Sequence, residues 1–511
     1  MKKTNELKAG SILSYVNLAI GCIIPLLYTP IMLKLLGQEE YGLYALSNSV
    51  VGYLSLLNFG MGSAVIRYIT RYRADGQTDK VRKTLGLFVV IYSCLALVVC
   101  ICGGVLIQFV GVLFGKGLTP KEIEKLRVLV LVMTGSTAIS FPIGVLSSVT
   151  IIYERYLFNK LVNIAQTILL PVLNLAILFS GGGSVGLALV GVVIQLTNAV
   201  IYSGYNIRKL DVYPVFRDIP VSLLKEMVVF SAFVFLSTIV DMLYWATDKV
   251  LIGAVIGTAA VAIYNVGGTF TSMLQSMAHA ISSVFAPRVN IMVAKQEPME
   301  QFSELLIRIG RLQYLVVSLV LSGYIVFGRV FIQLWAGPEY EQAYYIGLLT
   351  MIPLSVPLIQ NIAFTTILAQ NKHQFRSVLF AIIAVLNVVT TWLVLPKFGI
   401  IGAAVCTAVA YTLGQGIIMN VYYHKVIGLD IPGFWRNIGK MSLVPGGMIL
   451  GWMIMVNQVL QITSLAWFCV WAACYSIVFL GLSWLVSLNQ YEKNMLSGLV
   501  GKVFSIVKTK Y

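Results

Sequence analysis

Charge is what this chain has least of. Only 11% of its 511 residues are Asp, Glu, Lys or Arg, while 58% are hydrophobic and the mean hydropathy is +0.87. A water-soluble domain needs more polar surface than that balance supplies. Histidine is scarce, with three residues. The seven cysteines (Cys22, Cys94, Cys100, Cys102, Cys406, Cys469, Cys474) lie inside apolar runs without metal-ligand or disulfide spacing. They read as small buried hydrophobes. Also missing are G-x-x-x-x-G-K-[ST], D-x-D and H-E-x-x-H. The string at Gly111–Leu118 lacks the glycine spacing of a phosphate loop, and Gly181-Gly182-Gly183-Ser184 reads as a turn. No ATP-driven motor is encoded here. The longest connections, around 71–83, 115–125, 211–225 and 295–308, are too short to house a catalytic domain. The chain therefore reads as a non-enzyme that calls for no cofactor and no metal.

What is present is long continuous apolar sequence. Roughly 20 apolar residues cross a bilayer as a helix, and only helices or closed barrels satisfy their backbone in lipid. The runs are continuous rather than alternating, which excludes a barrel. Fourteen spans follow, near 11–35, 42–68, 84–113, 127–150, 158–180, 184–206, 226–251, 259–286, 309–335, 342–369, 376–395, 398–423, 441–460 and 464–488. The first run is too long for a signal-peptide core and contains Pro25 and Pro30, so it reads as the first span.

Lys and Arg set the orientation. With the N-terminus inside, 28 of the 36 basic residues fall on the cytoplasmic side. Eight fall outside: Lys34, Lys116, Lys121, Lys125, Arg127, Lys249, Arg329 and Lys397. Both termini are then cytoplasmic. The formal charge of +16 serves the anionic inner leaflet, and nucleic acid need not be invoked.

A weak internal repeat divides the chain. Leu36-Gly37 to Tyr44 aligns with Ile256-Gly257 to Tyr264. Asn159-Lys160 matches Asn371-Lys372, Leu173-Asn174 matches Leu386-Asn387, and Gly186 with Lys209 matches Gly402 with Lys425. The expected fold is all-α and membrane-integral. It has a six-helix lobe at 1–210, a parallel six-helix lobe at 220–428, two extra transmembrane helices at 440–490 and a cytoplasmic tail at 491–511. Parallel repeats of this kind place a substrate site between lobes near the midplane.

Ionisable groups inside a membrane are costly and so are functional candidates. Asp241 and Asp248 lie seven residues apart on one face of the seventh span, with Tyr244 and Trp245 between them. Asp241, the deeper, is the candidate for ion coupling. Asp248 beside Lys249 could equally be an interfacial ion pair. Lys34, one turn after Pro30, could attract a phosphate or simply snorkel to the interface. Arg67 could contact substrate or anchor the second span. Arg329 could pair with Glu339 or Glu341 across a turn. Asn17, Asn58, Asn174, Gln195, Gln275, His279, Gln360 and Asn361 thread apolar helices. Helix–helix hydrogen bonding accounts for most of them, while some, Asn58 included, could meet sugar hydroxyls. His279 reads as a hydrogen-bonded structural histidine, although it could respond to protons.

The stretch Pro30…Lys34-Leu35-Leu36-Gly37-Gln38-Glu39-Glu40-Tyr41-Gly42, with Leu56-Leu57-Asn58-Phe59-Gly60-Met61-Gly62-Ser63-Ala64-Val65-Ile66-Arg67, carries a family resemblance. It resembles polysaccharide flippases, of the O-antigen, capsule and teichoic-acid kind, in the multidrug/oligosaccharidyl-lipid/polysaccharide exporter superfamily. Thr247-Asp248-Lys249-Val250-Leu251-Ile252-Gly253 and Ala262-Ile263-Tyr264 look like the same family. The resemblance implies a flippase carrying undecaprenyl-pyrophosphate-linked oligosaccharide repeat units from the inner to the outer leaflet of a bacterial cell membrane. A flippase of that kind would work by alternating access with glycan-assembly enzymes as partners, driven by an ion gradient (H⁺ or Na⁺), the membrane potential or the lipid substrate's own gradient. Lys34 matches the basic position of the related peptidoglycan-precursor flippases. The cavity arginine of their eighth span has no counterpart between Leu274 and Ala286, so a peptidoglycan precursor is a less suitable cargo. The rival reading is a cation-coupled multidrug antiporter of the same superfamily, which Asp241 would suit.

Overall fold

The computed structural model describes residues 2–59, 62–217, 235, 238–239, 242–243, 246–458, 460, 462–494 and 497. Every regular element among them is helical. The protein is a multi-pass membrane protein. Among the described residues, eleven helical stretches are long and apolar enough to cross a bilayer. Their apolar side chains are left bare on the outside, with Val112 80% exposed and Leu485 74%. In water such exposure would be untenable; in lipid it costs nothing.

α1 (Lys2–Leu36) runs through Pro25 and Pro30 without ending. Gly37, at φ 81°, turns the chain and α2 (Gln38–Gly52) begins at once. Only glycine adopts that backbone freely. The second span is not the single helix expected over 42–68. α2 gives way to a 3₁₀ turn at Tyr53–Asn58, Phe59 is left-handed at φ 50°, and α3 (Gly62–Ala74) resumes. The Ser55 hydroxyl bonds the Gly52 carbonyl at 2.6 Å, and the Gly60/Gly62 pair that follows gives little support to a continuous helix.

The remaining helices of the N-terminal half are α4 (Thr78–Phe114), α5 (Pro120–Ile152), α6 (Tyr156–Phe179) and α7 (Gly183–Leu210). A capping box at Thr119 and Glu122 starts α5. Then come α8 (Thr247–Val255) and α9 (Thr258–Ser282), so most of the expected seventh span lies outside the described residues. α10 (Ala286–Ala294), α11 (Met299–Trp335), α12 (Gln342–Ile359) and α13 (Asn361–Ala369) follow, the last two divided at Gln360.

α14 (Gln374–Tyr411) continues through two π-helical segments that flank α15 (Met419–Tyr422). The whole stretch to Ile427 is 54 residues. At 1.5 Å per residue that is about 80 Å, far more than the roughly 30 Å of a bilayer core. Gly399, at φ 61°, divides it into two spans near the limits the sequence indicates. The chain closes with α16 (Ile431–Met441), α17 (Leu443–Gln458) and α18 (Leu465–Leu482).

These elements form two compact units. One joins Met1–Asn265 with Phe380–Cys406; the other joins Val266–Leu379 with Thr407–Tyr511. The repeat describes sequence and the units describe packing, and they divide the chain at different places. In the first unit α5 packs against α4 and α7. In the second, α11 is the hub, touching α12, α13, α16, α17 and α18. Phe327 on α11 meets Trp452, Phe468 and Tyr475 edge-on at 5.6 to 6.2 Å between ring centres. The last two helices are thereby built into the core of this unit. Arg329 pairs with Glu341, one of its two expected partners.

The buried Tyr475 hydroxyl donates to Ser322 Oγ at 2.7 Å. Tyr475→Phe removes only that bond. We expect it to cost about 1 kcal/mol, read as a small drop in the thermal midpoint of the purified protein, because buried hydrogen bonds net about that much.

Candidate functional site

One group of polar residues in the first unit meets at a joint between α2 and the α8–α9 hairpin. The hairpin turns at Gly257, whose φ of 129° is open to glycine alone and whose Cβ would stand 2.9 Å from the Gly117 carbonyl. That turn brings Thr247, Asp248 and Lys249 on α8 opposite Thr258, Tyr264 and Asn265 on α9. Gly42 on α2 lets the backbones touch. A Cβ there would lie 1.8 Å from the Thr258 carbonyl oxygen.

Across this contact runs a chain of hydrogen bonds. The Tyr264 hydroxyl donates to Asp248 Oδ2, and Asp248 is only 2% exposed. The Lys249 ammonium donates to Asn265 Oδ1 at 2.8 Å, and the Asn265 amide donates to the Tyr41 hydroxyl at 2.7 Å. The Tyr53 and Thr247 hydroxyls are bonded to each other. Thr258 donates to Glu122 at the start of α5. Beside it, Glu40 takes the Lys125 ammonium at 2.6 Å and the Ser184 amide N–H at 2.7 Å. Burial makes such groups expensive unless each is bonded, so the network fixes one arrangement of α2, α5, α8 and α9. We expect Tyr264→Phe, which strips a hydrogen bond from a buried carboxylate, to lower stability by about 1.5–3 kcal/mol. Denaturant unfolding of the purified protein measures it.

The candidates named from sequence are distributed around this joint. Lys34 is exposed in the last turn of α1, beside Gly37. Asn58 ends the 3₁₀ turn; its amide oxygen is buried with no hydrogen-bond partner among the described residues. Arg67 is exposed on α3, beyond the break. α2 alone, at 15 residues, rises about 22 Å, so the Lys34 turn and Arg67 are separated along the second span. Asp248 lies within the joint. Asp241 lies outside the described residues.

Sequence reasoning missed Asn265, Tyr53 and Glu122, which are ordinary residues until the fold sets them opposite partners. It also missed a second polar cluster, in the other unit. There Asn420 on α15 receives Gln360 Nε2 at 2.7 Å and the Trp435 indole N–H at 2.8 Å, and donates to the Gln415 and Gly416 carbonyls. π-Helical turns of the kind that flank α15 recur at functional sites. His279 Nδ1 lies 3.2 Å from the Asn361 amide nitrogen, the hydrogen-bonded role expected of it. Among the described residues no group of three His, Cys, Asp or Glu could hold a metal ion.

Comparison with known proteins adds the following. A family model described as "Polysaccharide biosynthesis protein" matches residues 7–292. The "Putative O-antigen transporter" of Shigella flexneri is 21% identical over 428 residues, which is 81% of this chain and 97% of that protein. Among solved structures, a "Lipid II flippase MurJ" in an inward closed conformation superposes with a TM-score of 0.73 at 13% identity, covering 93% of this chain and 98% of that one. An inward-facing multidrug resistance MATE family transporter of the MOP superfamily gives 0.65 at 13% identity, covering 83% and 99%. At that identity the two structures establish the fold alone.

Proposed function

From the premise that this chain belongs to the polysaccharide biosynthesis protein family, we propose that it is a flippase for polyprenyl-diphosphate-linked oligosaccharide. It moves undecaprenyl-linked repeat units from the cytoplasmic to the outer leaflet of a bacterial cell membrane, by alternating access, to supply surface polysaccharide assembly. The match over residues 7–292 carries the reading. The Shigella relative supports it by name, and the matched range includes the joint around Asp248.

In this reading both termini are cytoplasmic, and glycan-assembly enzymes deliver and collect the cargo. The two six-helix lobes of the repeat are the moving parts. Lys34 holds the diphosphate, because a cation near a helix end beside a lipid-exposed proline helix can reach a headgroup without full burial. Asn58, with its buried unsatisfied oxygen, faces sugar hydroxyls. Arg67 serves the cytoplasmic leaflet. Asp241 and Asp248 couple H⁺ or Na⁺ movement. The chain itself performs no covalent chemistry.

Deletion of the gene in its host tests the reading. Prenyl-linked oligosaccharide should accumulate on the inner leaflet and surface polysaccharide should fall. Unchanged polysaccharide with lost drug resistance would instead indicate the multidrug antiporter. For the residues, we expect Lys34→Ala and Asp241→Asn each to reduce export at least tenfold in complemented cells. Two fully active variants would withdraw both roles.

A further inference from the structure

The second unit holds a cavity of about 180 Å³ where α10, α11 and the segment after α18 meet. Water occupies roughly 30 Å³ in the liquid, so it has room for about six waters. That is adequate for a phosphate group. Arg288 of α10 and Arg308 of α11 line it, with Tyr491 and the apolar side chains of Leu305, Ile309 and Leu312.

Two observations say what it would take. The first is charge. The one carboxylate on its wall, Glu492, is already bound by Arg311 through two bonds, Nε to Oε1 at 2.6 Å and Nη2 to Oε2 at 2.9 Å. Arg288 and Arg308 have no carboxylate partner among the described residues. Among the described residues, then, neither charge is ion-paired. The second is preorganisation. The Arg308 guanidinium lies 3.5 Å over the Tyr491 ring centre, which holds its plane and leaves its edge donors available. A planar fork held in place is the geometry that recognises phosphate oxygens in pairs. The apolar wall beside the two arginines suits an amphiphile. Beyond Glu492 the chain carries four lysines and no acidic residue, as a segment beside an anionic surface would.

We propose that this cavity is an accessory site for a phosphate-bearing anion, an inference independent of the function proposed above. The phosphate can come from an anionic phospholipid headgroup or from a soluble phosphate. The test uses the full-length protein purified in a neutral detergent. Binding of dioctanoyl phosphatidylglycerol and of inorganic phosphate is measured separately, with dioctanoyl phosphatidylcholine as the uncharged control.

An arginine near an anionic headgroup contributes about fivefold, so the double substitution Arg288→Gln/Arg308→Gln should weaken phosphatidylglycerol binding roughly 30-fold. Arg288→Lys/Arg308→Lys should weaken it less, because charge is kept and only the fork is lost. Residue-dependent binding of phosphatidylglycerol identifies a lipid site, and the same dependence for inorganic phosphate alone identifies a soluble ligand. Should the double variant not fold, the exposed Arg288→Gln alone gives the fivefold test. If neither probe binds, or if the variants bind as the wild type does, the proposal is overturned.

Discussion

Glu492→Ala destabilises the purified protein by about 3–5 kcal/mol, an expected loss large enough to rival the whole margin of a small domain. The reason is burial. Arg311 is 8% exposed and Glu492 is 2% exposed, and the guanidinium meets the carboxylate through two bonds. Arg311 also donates to the Ser487 carbonyl at 2.8 Å, and Glu492 accepts the Asn489 amide N–H at 2.9 Å. Removing the carboxylate leaves a buried charge with one neutral acceptor.

A pair of this kind need not add net stability. Its attraction has to offset the desolvation of both ions, and replacement of both by apolar groups is often neutral. Arg311→Met/Glu492→Leu should therefore recover most of what Glu492→Ala loses. Thermal and denaturant midpoints in detergent measure all three proteins, with the exposed Glu304→Ala as reference. If Glu492→Ala falls no further than Glu304→Ala, the pair is open in solution.

The second large effect is expected at Gly42. A methyl group there would overlap the Thr258 carbonyl oxygen at 1.8 Å, and backbone cannot rotate aside as a side chain can. Gly42→Ala must part α2 from α9 by about 1.5 Å to restore ordinary contact. That displacement breaks the Asn265–Tyr41 bond and strains Thr258–Glu122. Overpacking of this kind costs about 1–3 kcal/mol, and buried polar groups left without partners add to it. We expect export to fail in complemented cells while the protein still reaches the membrane. Gly104→Ala is the control. It sits in α4 with open space around it, so a Cβ should leave stability unchanged or slightly raised. Equal behaviour of the two alanines would mean that the α2–α9 contact does not persist in the working protein.

The sequence was informative wherever a physical rule acts locally along the chain. The Gly37 turn was legible because a glycine stands between two apolar runs. The division near residue 397 was legible because one helix of that length cannot fit a bilayer. The break at Tyr53–Phe59 was not legible. LLNF is as apolar as its neighbours, so hydropathy sees a continuous span where the backbone in fact leaves the helix.

The polar network shows the same limit. Thr247-Asp248-Lys249 and Tyr264 stand out as a pattern, but that Tyr264 donates to Asp248 depends on a turn at Gly257 that folds α8 back on α9. Arg311 and Glu492 lie 181 residues apart. In the sequence one is a basic residue near the end of a span, and the other lies in a short tail. No periodicity connects them.

By itself, then, the sequence determined that this chain is helical, lies in a membrane and crosses it many times. Composition and span length are one-dimensional properties, and the bilayer reads them directly. Tertiary structure alone decided which of the few polar residues meet. In an apolar chain each buried polar group must find a partner or carry the cost of its burial, and partners are chosen by packing across hundreds of residues. The pairing of Tyr264 with Asp248, the Arg311–Glu492 pair and the stacking of Arg308 on Tyr491 all follow from that choice.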